Sequence, residues 1–452
     1  MDNIVAIATP YGSGAISVIR ASGPDSINLV EMVFDRKLKR EGYTISYGNI
    51  VNNGEIIDEV LVSVFKAPHS FDGEDCCEIS CHGGILVTNL VLETLLDAGF
   101  RMAEPGEFSK RAFLNHKIDL TQSEAIMDII AASNKMALKA AEGSLHSHTK
   151  KMIQKLREEI LNILASIEVN IDYPEYEDAI TMDYHNIMPK VDLLIEKMKD
   201  ILNNSRVAKI VREGIKVAIV GKPNVGKSSL LNMLLDEDKA IVSSIEGTTR
   251  DMVEGELSLN NVTLRFIDTA GIRNSDDFVE QIGIKRSIKA MNEADIVFVV
   301  LDSSRPLDDY DYKILEETKA KKRIIIYNKI DLNPAFKMDE EMIGISTSNK
   351  EGMAKLEERI EQMVHINEFN PIDNNYLANS RHISLMKKAL ESLNNAKDGC
   401  LATLDSSLIE IDIKDAFDLL GEITGEAYDD ELIDSLFSKF CLGKWCYELC
   451  WI

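Results

Sequence analysis

Gly221-Lys222-Pro223-Asn224-Val225-Gly226-Lys227-Ser228 is the stretch on which the reading of this chain turns. It fits G-x-x-x-x-G-K-[ST]. It lies between an apolar strand-like run, Lys216–Val220, and a helical run from Ser229 to Leu235. A phosphate-binding loop needs that strand–loop–helix setting: the glycines let backbone N–H groups face phosphates, and the helix N-terminus adds a favourable dipole. In such a loop Asn224, Val225, Gly226, Lys227, Ser228 and Ser229 line the nucleotide. Lys227 reaches the β- and γ-phosphates, and the Ser228 hydroxyl takes Mg²⁺. Further strand-like runs at Leu264–Ile267, Ile296–Leu301, Ile324–Tyr327 and Met342–Ile345 alternate with helical stretches. That alternation predicts a mostly parallel sheet with helices on both faces over residues 214–370.

Moving outward, Asp268-Thr269-Ala270-Gly271 follows a strand, where Asp268 can hold the Mg²⁺ shell. Asn328-Lys329-Ile330-Asp331 follows the next but one. A carboxylate at Asp331 accepts from both guanine N1–H and the exocyclic amine, a donor pattern adenine lacks, so this motif selects GTP. With Gly247-Thr248-Thr249 between them, the order of motifs resembles the Ras-like GTPase superfamily. The fifth element, Ser346-Thr347-Ser348, departs from the usual Ser-Ala-Lys at two of three positions, so a backbone contact is expected there. Small GTPases commonly place Gln directly after D-x-x-G to orient water. Here that residue is Ile272, whose side chain cannot hydrogen-bond water. Either hydrolysis is weak or another group replaces the glutamine. Glu280 is the nearest candidate, and a solvated helix residue is its plain alternative. Nothing nearby announces an arginine finger. Asn224 is an oxygen donor near the β/γ-phosphates, and a monovalent cation held there would supply the missing positive charge.

On either side the texture changes. Residues 1–117 mix short β-rich runs with Gly and Pro turns and one clear helix near Leu86–Ala98, which reads as α+β. Residues 118–213 are helical. Met152, Leu156, Ile160, Ile163 and Ile167 share one face of a run that stops at Tyr173-Pro174. A second run, Val191 to Leu202, is expected to end at Asn203-Asn204. Residues 371–452 are helical again. The pattern predicts a multidomain α/β protein: an N-terminal α+β domain, then a discontinuous helical domain into which a Ras-like P-loop GTPase domain is inserted. Insertions go where chain ends lie close together at a surface.

Composition narrows the setting. The 452 residues carry a net charge of −25, and no segment is basic: −6 over 1–117, −4 over 118–213, −7 over 214–370 and −8 over 371–452. The longest purely apolar run, Ile296–Leu301, is far too short to span a membrane. The start, Met1-Asp2-Asn3, lacks a signal peptide's basic and apolar regions. Seven cysteines, an odd number, suit reduced thiols, so a cytoplasmic protein is expected. The charge argues against tight binding of nucleic acid by backbone neutralisation.

One family matches the block order over nearly the whole chain. The blocks are Ile7-Ala8-Thr9-Pro10, Ala15-Ile16-Ser17-Val18-Ile19-Arg20, Gly73-Glu74-Asp75, Cys81-His82-Gly83-Gly84, Pro105-Gly106-Glu107-Phe108, Arg111-Ala112-Phe113-Leu114-Asn115, Asp119-Leu120-x-Gln122 and Phe440-Cys441-Leu442-Gly443-Lys444. The chain resembles the MnmE (TrmE) tRNA-modification GTPases. That resemblance implies an N-terminal folate-binding and dimerisation domain that takes 5-formyltetrahydrofolate or a related tetrahydrofolate at Arg20, Glu78, Lys117 and Lys444. Arg and Lys suit the glutamate-tail carboxylates and Glu78 the pterin N–H groups; surface salt bridges are the plain alternative. It implies K⁺ at Asn224, Ser243, Ile245 and Thr248, in a nucleotide-contacting loop with Ser244, Glu246 and Gly247. It also implies that Thr249 joins Ser228 on Mg²⁺ and that Glu280 orients the attacking water. Cys441 is implied as a possible thiol at the one-carbon site. Finally, it implies a homodimer that works with the FAD-containing partner MnmG (GidA), adding an aminomethyl or carboxymethylaminomethyl group at C5 of the wobble uridine of certain tRNAs. The flavoprotein is then expected to supply most of the basic surface.

Two features depart from the family. The tail Trp445–Ile452 extends past the usual Cys-x-Gly-Lys end, and the spacing Cys441-x4-Cys446-x3-Cys450 is incomplete as a zinc site. His116 stands where a small or polar residue is common. Cys76, Cys77, Cys81 and His82 are close in sequence, but neighbours in a strand face opposite ways and do not easily share a metal. A different class of reading is a GTP-binding switch module that recruits partners in ribosome assembly. A third is a folate-dependent one-carbon transferase regulated by its G domain.

Overall fold

The computed structural model describes residues 2–172, 184–235, 253–259, 261–267, 291–332, 335, 342–364, 370, 375–402, 406–426, 430–438 and 440. Its contacts fall into two compact units, Met1–Met127 with Thr424–Ile452, and Asp128–Ile423.

The first unit is built on β1 (Ile4–Ile7), β2 (Ile16–Ser22), α1 (Ser26–Val33), β3 (Thr44–Asn52), β4 (Glu55–Phe65), β5 (Cys76–His82), α2 (Ile85–Asp97), β6 (Arg101–Met102) and α3 (Glu107–Leu114). The sheet order is β3-β4-β5-β2-β1-β6, antiparallel except for the parallel β1–β6 pair. Ile19, Ala21, Val62, Val64, Cys77, Ile79 and Cys81 alternate onto the face covered by α1 and α2, where Val30, Val91 and Leu95 complete the core. Cys76 is also buried, though it neighbours Cys77 and so lies on the other face. The thiols are thus divided between two faces of one strand. Among the described residues, no cluster of three or more His, Cys, Asp or Glu is arranged to hold a metal.

The second unit begins in α4 (Leu120–Ala131) and continues through α5 (Lys135–Leu145), α6 (His148–Asp172) and α7 (Tyr184–Glu213). Then come β7 (Ile215–Val220), α8 (Lys227–Leu235), β8 (Val253–Ser258), β9 (Thr263–Ile267), β10 (Ile296–Asp302), α9 (Asp309–Glu317), β11 (Arg323–Asn328), β12 (Ile343–Ile345) and α10 (Met353–Met363). The order β12-β11-β10-β7-β9-β8 is parallel except at β8–β9. The alternating texture is therefore a parallel sheet with one antiparallel edge strand. That edge strand, β8, is polar enough at Glu254 and Glu256 to escape a search for apolar runs.

Residues α11 (Ser380–Leu401) and α12 (Ser406–Thr424) pack with α6 and α7 around Ile160, Ile163, Leu194, Met198, Leu393, Ile413 and Leu420. The end expected for α7 at Asn203-Asn204 is not observed; the helix runs on to Glu213. The reason is tertiary. Ile195, Met198 and Ile201 lie in the bundle core, and Ala208 and Val211, further along the same helix, lie in the core under the sheet. Burial at both ends outweighs the weak helix preference of two asparagines. The helix stops at Gly214, whose positive φ of 77° suits a C-terminal turn and whose N–H donates to the Ile210 carbonyl at 2.9 Å.

The last described helix, α13 (Asp430–Phe437), returns to the first unit. Ile433, Phe437 and Phe440 bury against Phe113 and Leu120, with the Phe437 and Phe440 ring centroids 4.8 Å apart. The helical texture after residue 371 thus serves two cores. Among the described residues, no helix is long and apolar enough to cross a membrane.

Candidate functional site

The phosphate-loop residues sit at the carboxyl ends of the parallel strands, where open α/β sheets bind ligands. Gly221 follows β7, and a Cβ there would run into the Val300 carbonyl of β10. Gly226 has φ 98°, and a Cβ would collide with the Asn328 amide. The glycine spacing in the motif therefore has a steric cause in this fold. Ser228 and Ser229 lie in the first turn of α8, after Lys227.

Asn328, 1% exposed, joins three loops. Its Nδ2 donates to the Val225 carbonyl at 2.9 Å, and its Oδ1 accepts from the Thr347 N–H at 3.3 Å. Ser346 Oγ donates to Asp331 Oδ1 at 2.7 Å and accepts from the Asn349 N–H at 3.1 Å. The Ser346 side chain thus fixes the carboxylate that the sequence marks for guanine. This is an indirect part that the expected backbone contact did not include. Lys329 Nζ donates to the Asn224 carbonyl at 3.1 Å and to Asp302 Oδ2 at 2.6 Å. Asp302 escaped the sequence reading. Its signal in the sequence was its place directly after the apolar run Ile296–Leu301; that it stands beside Asn328 comes from the strand register.

Lys227 Nζ donates to the carbonyls of Gly221 at 2.8 Å and Lys222 at 2.6 Å. Among the described residues no carboxylate pairs with it, and burial pushes its pKa down to about 8. A desolvated ammonium held among carbonyls is a receptor for an anion. Lys222 points elsewhere: its ammonium meets Asp308 and lies 3.2 Å from the buried Asp311, both at the N-terminus of α9. This contact anchors the loop from behind.

The remaining nucleotide and metal candidates, Ser243, Ser244, Ile245, Glu246, Gly247, Thr248, Thr249, Asp268, Thr269, Ala270 and Gly271, lie outside the described residues, as does Glu280.

In the first unit, Arg20 and Glu78 are cross-strand partners in β2 and β5. Nε and Nη2 of Arg20 both donate to Glu78 Oε1, at 2.9 and 2.7 Å. The Arg20 guanidinium lies 4.6 Å from the Phe71 ring centroid and 5.7 Å from that of Phe108. Lys117 Nζ donates to the Pro68 carbonyl at 2.8 Å. The loop from Pro68 to Asp75 therefore touches both Arg20 and Lys117. Within it Asp72 is buried, and among the described residues its Oδ2 has no hydrogen-bond partner. Cations, aromatic faces and an unmet acceptor in one place suit a flat polar heterocycle with an acidic tail. Lys444 and Cys441 lie outside the described residues. His116 stands in the left-handed region, at φ 55°.

Comparison with known proteins bears on both places. Residues 3–117 match the family described as GTP-binding protein TrmE N-terminus, and residues 120–441 match the MnmE helical domain. The chain belongs to the MnmE (TrmE) family. It is 49% identical over 449 residues to the tRNA modification GTPase MnmE of Streptococcus thermophilus, covering 98% of each chain. The MnmE of Streptococcus sanguinis is 48% identical over 451 residues, covering 98% of this chain and 99% of its own. That of Acholeplasma laidlawii is 49% identical over 444 residues, with the same coverage. As a member of the MnmE family the chain is a GTP hydrolase with a Ras-like P-loop domain, and its loop geometry is that of a nucleotide-binding GTPase.

Proposed function

We propose that this chain hydrolyses GTP in the service of tRNA modification. With the FAD-containing partner MnmG (GidA), it adds an aminomethyl or carboxymethylaminomethyl group at C5 of the wobble uridine. The observation that supports this reading is that one chain carries two constellations of polar side chains. One is the Asn328–Asp331–Lys227 constellation around the phosphate loop. The other is the Arg20–Glu78 pair with its aromatic, Lys117-bearing loop. A pure GTP switch has no use for the second.

In this reading Ser228 and Thr249 hold Mg²⁺, and Asp268 supports its shell. Asn224, Ser243, Ile245 and Thr248 hold K⁺, whose charge takes the place of an arginine finger. Glu280 orients water where Ile272 cannot. Arg20, Glu78, Lys117 and Lys444 hold a tetrahydrofolate, which supplies a one-carbon unit when bound. The Arg20–Glu78 pair already orients both groups for a ligand that accepts from one and donates to the other. The organisation proposed is 1–117 for folate and dimerisation, 118–213 and 371–452 for the helical domain, and 214–370 for the G domain, with the active form a cytoplasmic homodimer.

Nucleoside analysis of tRNA from a deletion strain is the direct test. Wobble uridine should lack its C5 substituent, and full modification would favour the switch reading. In parallel, GTP turnover should rise many-fold in K⁺ over Na⁺. Equal rates in both salts would remove the cation from the proposal.

A further inference from the structure

Asp302 is a buried acid that no motif accounts for. It ends β10, is 8% exposed, and stands beside Asn328 in the parallel register. Its Oδ1 accepts from the Ser304 N–H at 3.0 Å and the Ser304 hydroxyl at 2.6 Å. Its Oδ2 accepts from the Lys329 ammonium at 2.6 Å, and Arg305 Nε lies 4.0 Å away. Lys329 continues to the Asn224 carbonyl at 3.1 Å. Asn224 and Lys329 both occupy the left-handed backbone region, at φ 63° and 65°. Non-glycine residues seldom stay there unless their surroundings hold them. One hydrogen bond therefore links two residues in sparsely populated conformations, one in the phosphate loop and one in the guanine-reading loop. The carboxylate behind it decides where the ammonium stands.

We propose that Asp302 is a positioning residue for nucleotide retention. By fixing the Lys329 ammonium on the Asn224 carbonyl, it holds the guanine-side loop and the phosphate loop as one preassembled cradle. The charge matters because a lysine has four rotatable bonds and no fixed fork, so a point partner is needed to localise its head. A charge-assisted bond to a carboxylate that is itself 8% exposed is strong enough to do so. The plain alternative is that Asp302 only caps its own turn through Ser304. Asp302→Asn separates the two, since the amide oxygen can still accept from Ser304 while the negative charge on Lys329 is lost.

The experiment is a double-mutant cycle on the full chain, reading release of a fluorescent GDP by stopped flow. Melting temperatures without nucleotide serve as the control for folding. Asp302→Asn should speed release about tenfold. Lys329→Met, which keeps most of the aliphatic stem, should speed it at least as much. If Asp302 acts through Lys329, the double variant should release GDP no faster than Lys329→Met alone. Where a variant releases too fast to time, its equilibrium GDP affinity completes the cycle. Release within twofold of the unaltered chain in Asp302→Asn would overturn the proposal. So would an Asp302→Asn factor that persists undiminished in the Lys329→Met background, or a lowered melting temperature with unchanged release.

Discussion

At the residue scale, Lys227 carries the sharpest expectation. Its pKa in the nucleotide-free chain is pushed down to about 8 from 10.5 by burial. Phosphate oxygens beside it favour the charged form and raise that value. GTP or GDP binding should therefore take up protons in the window between those two values. Uptake should be small at pH 7 and grow as pH rises through 8. Calorimetric titrations in buffers of different ionisation enthalpy measure it directly. Lys227→Arg, which stays charged throughout, should abolish the uptake. The residue types of this site were legible because a phosphate cradle needs glycines and a lysine at fixed spacing. The partners that set their energetics, Asp302, Asp311 and the Ser346 hydroxyl, were not. Nothing in the local sequence of an acid at a strand end states which ammonium it will meet. Asp311 is a case in point. It is 2% exposed and lies 3.2 Å from the Lys222 ammonium, so Asp311→Ala should leave that ammonium with Asp308 as its remaining partner and cost about 1–3 kcal/mol in denaturant melts.

At the scale of elements, α3 is held by charge as well as by packing. Arg111 is 4% exposed and bonds Glu107, Asp2 and Glu74 at 2.9, 2.7 and 3.1 Å. Burial alone would raise the Glu107 pKa, but Arg101, the Glu104 N–H and Arg111 outweigh it and hold the carboxyl below its ordinary 4.5. Asp2 is likewise held low, chiefly by Arg101, although its exposed side chain is screened by water. A depressed folded-state value means that falling pH protonates the unfolded chain first. The stabilisation is complete above about pH 4.5 and is lost below it. Melting temperature should accordingly fall as pH drops from 5 to 3. Arg111→Gln should lower it at pH 7 and flatten that dependence. An unchanged slope would show that these pairs contribute little. The strong helices and buried strands of the chain were visible in their apolar periodicity. β3 and β8 were not, because Ser46, Gly48, Asn49, Glu254 and Glu256 interrupt it, and a polar edge is recognised only once its neighbour is placed.

For the whole molecule, the return of α13 makes the first unit depend on both ends of the sequence. Phe437 is 1% exposed and lies 6.2 Å, ring to ring, from Phe113. Phe437→Ala should cost about 3–5 kcal/mol. Its effect should appear in protection of amides in β1 and α3 and leave those of the G-domain sheet unchanged. Loss of protection in the sheet alone would contradict the division into units. The charge of −25 acts at the same scale. With no basic segment along the chain, tRNA binding by this protein alone should be weak, and tight salt-sensitive binding in a filter assay would contradict that.

By itself the sequence determined the strongly apolar strands and helices, the alternation that makes a parallel sheet, and the motifs of a guanine-nucleotide site. These depend on spacing along the chain, which backbone hydrogen bonding and side-chain periodicity read locally. The tertiary structure alone decided that α7 runs unbroken through Asn203-Asn204, because two cores bury its two ends. It alone placed α13 on α3, where the aromatic faces meet. It alone brought Asp302 to Lys329, which stands 27 residues further along the chain. Such pairings follow from strand order and packing, and the physical reason they escape sequence reading is that their energy is set by burial, which no single segment possesses on its own.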